Sequence, residues 1–227
     1  MDDQQHFQNE LLNYLTQLLP FGSDKVMYEL GKCLWNKSIT QSSHLHDTLE
    51  YGEAVEQSKM WLQKAAIAGE TKAMYLLGTF MLDELLYPPS YQKEGEKWLR
   101  RAAKSGNTKA MIILGECILD GELAGTQEEG KDWFQKAIQQ GDFEAMLLWA
   151  DRRLTGKGVK QDLHEGEKIL RNLAELGITD AMVKWGKYLY EQKDAAIGEN
   201  WIKQAAKRGN RLAHQFLAER KKGTKEL

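Results

Sequence analysis

Residues 98–119 read WLRRAAKSGNTKAMIILGECIL, and the same pattern returns without a gap along the chain. Residues 61–82 read WLQKAAIAGETKAMYLLGTFML, 133–154 WFQKAIQQGDFEAMLLWADRRL, 169–190 ILRNLAELGITDAMVKWGKYLY and 201–220 WIKQAAKRGNRLAHQFLAER. A degenerate copy, YLTQLLPFGSDKVMYELGKCLW, occupies 14–35. The starts at 14, 61, 98, 133, 169 and 201 are 47, 37, 35, 36 and 32 residues apart. A period of this size marks a stack of supersecondary units, none of which buries its apolar face alone.

Each copy has a mechanical reading. The ninth position is glycine in all six: Gly22, Gly69, Gly106, Gly141, Gly177 and Gly209. Helical pattern lies on both sides, so this glycine ends one helix in the left-handed conformation. Ser23, Asn107, Asp142 and Asn210 follow it as N-cap residues of the next helix. The eighteenth position is small, as Gly31, Gly78, Gly115, Ala150, Gly186 and Ala218, and so is the residue three before each aromatic: Ser58, Gly95, Gly130, Gly166 and Gly198. Glycine within a helix costs about 1 kcal/mol relative to alanine. Repeating that cost makes sense where neighbouring helices approach closely, with Trp or Leu filling the gaps beside them.

This pattern resembles the Sel1-like repeats, relatives of the tetratricopeptide repeats. Their unit reads approximately A-x-x-x-L-G-x-x-Y, a G-x-G-V-x-x-D loop, then A-x-x-W-x-x-K-A-A-x-x-G. The matching residues are Ala73 with Leu77-Gly78, Ala110 with Leu114-Gly115, and Trp61 with Lys64-Ala65-Ala66 and Gly69. Gly156-Lys157-Gly158-Val159-Lys160-Gln161-Asp162 keeps the loop signature. Departures are Gly for the usual Ala before the aromatic, Ile169 for one Trp, and loops without G-x-G, whose shapes should differ. The resemblance implies an all-α fold, an α-solenoid of about six helix-turn-helix repeats forming a curved superhelix. It also implies a non-enzymatic protein that holds another protein on its concave face.

We place helices at 3–19, as an N-terminal packing helix, then at 24–36, 48–68, 70–84, 91–105, 107–119, 127–140, 142–155, 163–176, 178–190, 194–208 and 210–222. The long first spacing holds an insertion centred on 36–43, expected to be a mobile loop, and 221–227 reads as a frayed tail. A repeat stack has one continuous core. The expected organisation is therefore a single domain over 1–227, with the packing helix in 1–22, the repeats in 23–222 and a tail at 223–227.

Composition narrows function. Lys+Arg number 31 against 33 Asp+Glu, for a net charge of −2 and a pI near 6.2. Nucleic-acid binding usually shows a strong basic excess, so none is expected. No apolar run approaches the ~18 residues of a membrane helix. The acidic start Met1-Asp2-Asp3 is unlike a secretory or transit leader, and the expected location is cytoplasmic. No HExxH, Walker, G-x-S-x-G or paired CxxC motif occurs, so neither catalysis nor a cofactor is expected. His44-Leu45-His46 lacks a convincing third ligand and is read as part of the insertion, not as a metal site. Cys33 and Cys117 share one column two units apart, beyond disulfide reach in a stack, and are expected as free thiols.

The methionine column Met27, Met74, Met111, Met146 and Met182 lies beside the packed face at 100° per residue. It is read as core. Positions twelve, fifteen, sixteen and nineteen should line the concave face. The candidate partner-binding residues there are Tyr28, Glu29, Lys32, Tyr75, Leu76, Thr79, Ile112, Ile113, Glu116, Leu147, Leu148, Asp151, Lys184 and Lys187. About half of the central apolar pairs should instead pack against neighbouring helices, leaving a strip ringed by charge. Leu85-Leu86-Tyr87 before Pro88-Pro89 is a second candidate edge, unless it folds back over a helix end. The partner expected is another protein, with the chain a monomer by itself. Among similar proteins two uses are common: an adaptor or regulator in a complex, and an immunity protein that blocks a rival's toxin. A small repeat protein with no leader or attached domain suits the second.

Overall fold

The chain must reverse within three residues at the end of each first helix, and glycine makes that turn possible. In the computed structural model, which describes residue 10 and residues 12–18, 23–45, 49–83 and 89–223, Gly69, Gly106, Gly141, Gly177 and Gly209 all hold positive φ, between 80° and 107°. At Gly106 the N–H donates to Ala103 O and the Asn107 N–H to Ala102 O, both at 3.0 Å. These bonds satisfy carbonyls that the helix end leaves open. The next residue then caps the following helix. Asn107 Oδ1 accepts from Ala110 N–H and Asp142 Oδ1 from Ala145 N–H at 3.0 Å, and Asn210 Oδ1 accepts from Ala213 N–H at 3.1 Å. Ser23 Oγ does the same for Lys25 N–H.

Eleven helices with defined ends follow from these stops among the described residues. They are α1 (Asp24–Leu45), α2 (Leu49–Ile67), α3 (Thr71–Leu82), α4 (Gln92–Lys104, after a 3-10 turn Pro89–Tyr91), α5 (Thr108–Leu119) and α6 (Gln127–Gln139). Then come α7 (Phe143–Thr155), α8 (Leu163–Glu175), α9 (Thr179–Gln192), α10 (Ala195–Lys207) and α11 (Arg211–Gly223). Residues 12–18 are helical as well. The fold is all-α, of the solenoid class, with about six helix-turn-helix repeats and no strand among the described residues.

One expectation is corrected. The insertion at 36–43 is not a loop, because α1 runs through it to Leu45. Residues 36–45 contain neither glycine nor proline, so nothing interrupts the helix begun at Asp24. Leu85, Leu86, Tyr87 and His46 lie outside the described residues, as do 224–227.

Contacts divide the chain into two units, residues 1–114 and 115–227. Within each, the closest approach joins the second helix of one repeat to the first helix of the next. Small residues face each other there. A Cβ built on Gly78 would lie 2.9 Å from Gly95 O, one on Gly166 3.0 Å from Ala150 O, and one on Gly186 2.8 Å from Gly198 O. In the α1–α2 contact the fully buried Ser58 donates its hydroxyl to Gly31 O at 2.8 Å. The residue after each aromatic fills the space above the small one. Leu62 sits on Gly31, Leu99 on Gly78, Phe134 on Gly115 and Ile202 on Gly186, each with an atom 2.7–2.8 Å from that virtual Cβ. All four are fully buried. Met74, Met111 and Met182 are buried too, so the methionine column belongs largely to the core.

The surviving G-x-G-V loop is tied down within the second unit. Gly156 and Gly158 hold φ of 78° and 68°. A Cβ on Gly158 would meet Leu119 O at 2.5 Å, and Val159 is buried below it. The buried Arg152 donates to Asp120 at 2.8 Å and to Lys157 O at 3.2 Å. Lys157 Nζ reaches the other oxygen of Asp120 at 2.8 Å. Arg153 holds the loop's far end through Lys160 O, Asp162 and Glu165.

Candidate functional site

Second helices present their twelfth, fifteenth, sixteenth and nineteenth positions along one face, and in each unit that face lines a groove. In residues 115–227 the groove encloses about 950 Å³. Leu147 of α7 and Val183 of α9, both nearly buried, form its floor with Leu170 of α8. Leu148, Leu154 and Leu163 make an apolar wall, and Leu212 of α11 closes one side. Charged groups stand around this apolar surface. Asp151 and Lys184 pair at 3.4 Å, and the Lys187 ammonium lies 5.6 Å from the centre of the Phe216 ring. Beside them the Tyr188 hydroxyl donates to Glu167 at 2.6 Å. Burial and then this carboxylate push the Tyr188 hydroxyl up to about 12, so it stays a neutral donor.

The groove of residues 1–114 encloses about 720 Å³ and has different chemistry. Tyr28, Trp35, Tyr75 and Leu76 give it aromatic and apolar surface, and Lys32, Lys72 and Lys109 give it positive charge. Trp35 stacks on Phe80 with ring centres 3.7 Å apart, which fixes its indole at the groove edge. Burial, then the nearby Glu29 and Glu70, raise the Tyr28 pKa. Glu70 is itself held by the α3 N-terminus, accepting from Lys72 N–H at 3.0 Å.

Of the sequence candidates, Leu147, Leu148, Asp151, Lys184 and Lys187 come together around one groove, and Tyr28, Lys32, Tyr75 and Leu76 around the other. The remaining described candidates stand apart from both linings. Glu29 is exposed and pairs with Lys32 at 3.6 Å. Thr79 turns its hydroxyl back to Leu76 O at 2.8 Å. Ile112 is 4% exposed and belongs to the core, a correction to its expected surface position. Ile113 is half-buried. Glu116 stands 3.8 Å from Arg152; burial raises its carboxyl pKa against the opposing pull of that guanidinium.

Sequence reasoning missed Trp35, Asn36, Leu154, Thr155 and Glu191. They occupy positions twenty-two and twenty-three, one helical turn beyond the last column considered, and the i+3/i+4 rule extends the stripe to them. Leu212 occupies the twelfth position of the last copy, a column already expected to line the face, whereas Leu163 comes from a first helix and carries no such signal.

Among the described residues no three His, Cys, Asp or Glu side chains are placed to hold a metal ion. No helix among them is long and apolar enough to cross a membrane. Neither cysteine is in a disulfide; Cys33 is buried and Cys117 half-buried. Burial, then a hydrogen bond with Glu122, pushes the Cys117 thiol up to about 12, far from a nucleophile's range.

Known proteins carry the same architecture. A protective antigen of uropathogenic Escherichia coli strains, with an SLR fold, superposes with a TM-score of 0.65 at 22% identity. The match covers 95% of this chain and 44% of the antigen, so this chain spans less than half of that protein. A Sel1 repeat protein from Oxalobacter formigenes superposes with a TM-score of 0.60 at 22% identity, covering 92% of this chain and 82% of that one. Likeness at this identity concerns the fold. No curated protein matches the sequence. The family model described as Sel1 repeat matches residues 50–70, 71–107, 108–142, 143–178 and 179–210. Its boundaries bracket the tightly packed pairs α3–α4 and α7–α8, so the family unit coincides with the small-on-small contact. Proteins built this way are typically non-catalytic scaffolds for protein–protein interaction, and the chain belongs to the Sel1 repeat family.

Proposed function

We propose that this protein acts by holding a protein partner in the groove lined by α7, α8 and α9, and that the grip blocks the partner's own activity. The observation that carries the reading is the anatomy of that groove. An apolar floor of Leu147, Val183 and Leu170 lies inside a rim of Asp151, Lys184 and Lys187. Productive interfaces concentrate their energy in such a desolvated centre, and the charged rim supplies orientation and rate. The rigid setting supports the same reading, since helices locked by glycine contacts present the groove with little ordering left to do on binding.

The role proposed is that of a bacterial cytoplasmic immunity protein, one that neutralises a toxin or effector by occupying it. An adaptor within a signalling or assembly complex would use the same groove but leave its partner active. Affinity purification from the native cell, with identification of the protein that co-purifies, tests both steps. The expected partner arrests growth when expressed alone and loses that effect when this chain is co-expressed. A partner that binds and keeps its activity would transfer the reading to the adaptor.

A further inference from the structure

The groove of residues 115–227 is strongly unbalanced in charge. Four carboxylates, Glu144, Asp151, Asp180 and Glu191, line it against two lysines, Lys184 and Lys187. That excess of two acids equals the net charge of the entire 227-residue chain. Internal pairing does not remove it. Lys184 is engaged by Asp151, Lys187 lies over the Phe216 ring, and Asp180 accepts from the neutral amide of Asn210 at 2.7 Å. Among the described residues no ion pair engages Glu144 or Glu191. The same lining holds Leu163 and Leu212, large apolar side chains that are 48% and 54% exposed. The other groove has the opposite sign, with Lys32, Lys72 and Lys109 and no carboxylate among its described lining residues.

We infer that the α7–α9 groove takes a basic amphipathic segment of its protein partner, with apolar side chains set against Leu148, Leu163 and Leu212 and Lys or Arg side chains against Glu144, Asp180 and Glu191. This rests on the reading of the groove as a protein-binding site and adds the chemistry of what fills it. The exposed leucines ask for apolar anchors. The surplus carboxylates ask for cations at the margin, where complementary charge speeds encounter and rejects acidic competitors. A helix with apolar residues at i, i+3, i+4 and i+7 between basic ones meets both demands.

The test is selection of a random peptide display library, sixteen residues long, on the intact protein. Selected peptides are expected to carry an excess of Lys and Arg around apolar positions at helical spacing. Their affinity should fall about tenfold for the double variant Glu144→Lys/Glu191→Lys, and the gap should narrow with added salt. Leu163→Ser and Leu212→Ser should weaken them as well. Both leucines are half exposed, so the variants keep the wild-type melt, and loss of binding is then not loss of fold. Selection of acidic or neutral peptides that still respond to Leu163→Ser and Leu212→Ser would overturn the basic partner and spare the groove. Absence of any peptide whose binding responds to the groove variants would overturn both, as would a concentration-dependent dimer abolished by Leu212→Ser, which would give the groove to a second copy of the chain.

Discussion

Gly78 and Gly95 face each other across the α3–α4 contact, and a Cβ on either would lie 2.9 Å from the carbonyl oxygen of the other. Such a distance leaves no room for a methyl group. The backbone of both helices would have to move, because the obstructing atoms are not the ends of flexible side chains. The same relationship recurs as Gly31 with Ser58, Gly115 with Gly130, Ala150 with Gly166, and Gly186 with Gly198. Removing side chains at these points lets helices lie close enough for Leu62, Leu99, Phe134 and Ile202 to close over the seam.

Glycine-to-alanine exchanges should therefore change sign with position. Gly95→Ala gains helix propensity of about 1 kcal/mol but forces α3 and α4 apart, and overpacking of this kind costs roughly 1–3 kcal/mol. Gly52, in α2, has nothing within 4 Å of its virtual Cβ. Gly52→Ala should stabilise by about 0.4–1 kcal/mol through the unfolded chain. Chemical denaturation of the two variants checks this; equal effects would remove the small-residue columns from the packing.

The repeats, the glycine stops and the caps at Ser23, Asn107, Asp142 and Asn210 were legible in the sequence, because each depends on chemistry within a few residues. Which apolar residues of the central columns lie in the core was less so. Ile112 and Ile113 are neighbours of one residue type in one column pair, yet only Ile112 is fully in the core. Which of two adjacent apolar residues is covered depends on how neighbouring helices cross it, and no local pattern records that. Leu163 joins the groove from a first helix for the same reason. The continuation of α1 through 36–45 was hidden by polar composition, although no residue there stops a helix.

Asp120 ties the G-x-G-V loop to the end of α5 through Arg152 and Lys157. The hydrogen bond from Arg152, chiefly, and that from Lys157 hold its carboxyl below the usual range against some burial. A depressed folded pKa contributes stability that is complete above the unfolded value near 3.9 and fades as pH falls through the lowered folded one. Asp120→Asn should cost about 3 kcal/mol at pH 7, since it leaves the buried Arg152 without its closest counter-charge. The gap between melts of the variant and the wild type should narrow as pH falls through the lowered pKa of Asp120; a gap that does not narrow on acidification would assign the loss to packing.

The Cys117 thiol, raised to about 12 from an ordinary 9.0, should alkylate at pH 8 about a thousandfold more slowly than an unhindered thiol, in proportion to its thiolate fraction. Cys33 is buried and should react on the timescale of opening. Mass spectrometry of aerobically purified protein is expected to count two free thiols. Rapid modification of Cys117 in the folded protein would contradict its environment.

The most direct measurement of the binding account is a calorimetric titration of the captured partner against wild type, Leu148→Glu and Leu163→Glu, each first shown to keep a cooperative helical melt. A charge placed in the desolvated centre of the interface costs several kcal/mol. Both variants should therefore lose 10²-fold or more in affinity, roughly 3 kcal/mol, while Lys187→Glu at the rim should change affinity far less, with added salt masking the change. Partner binding within twofold of wild type for Leu148→Glu and Leu163→Glu would contradict the α7–α9 groove as the site that holds it.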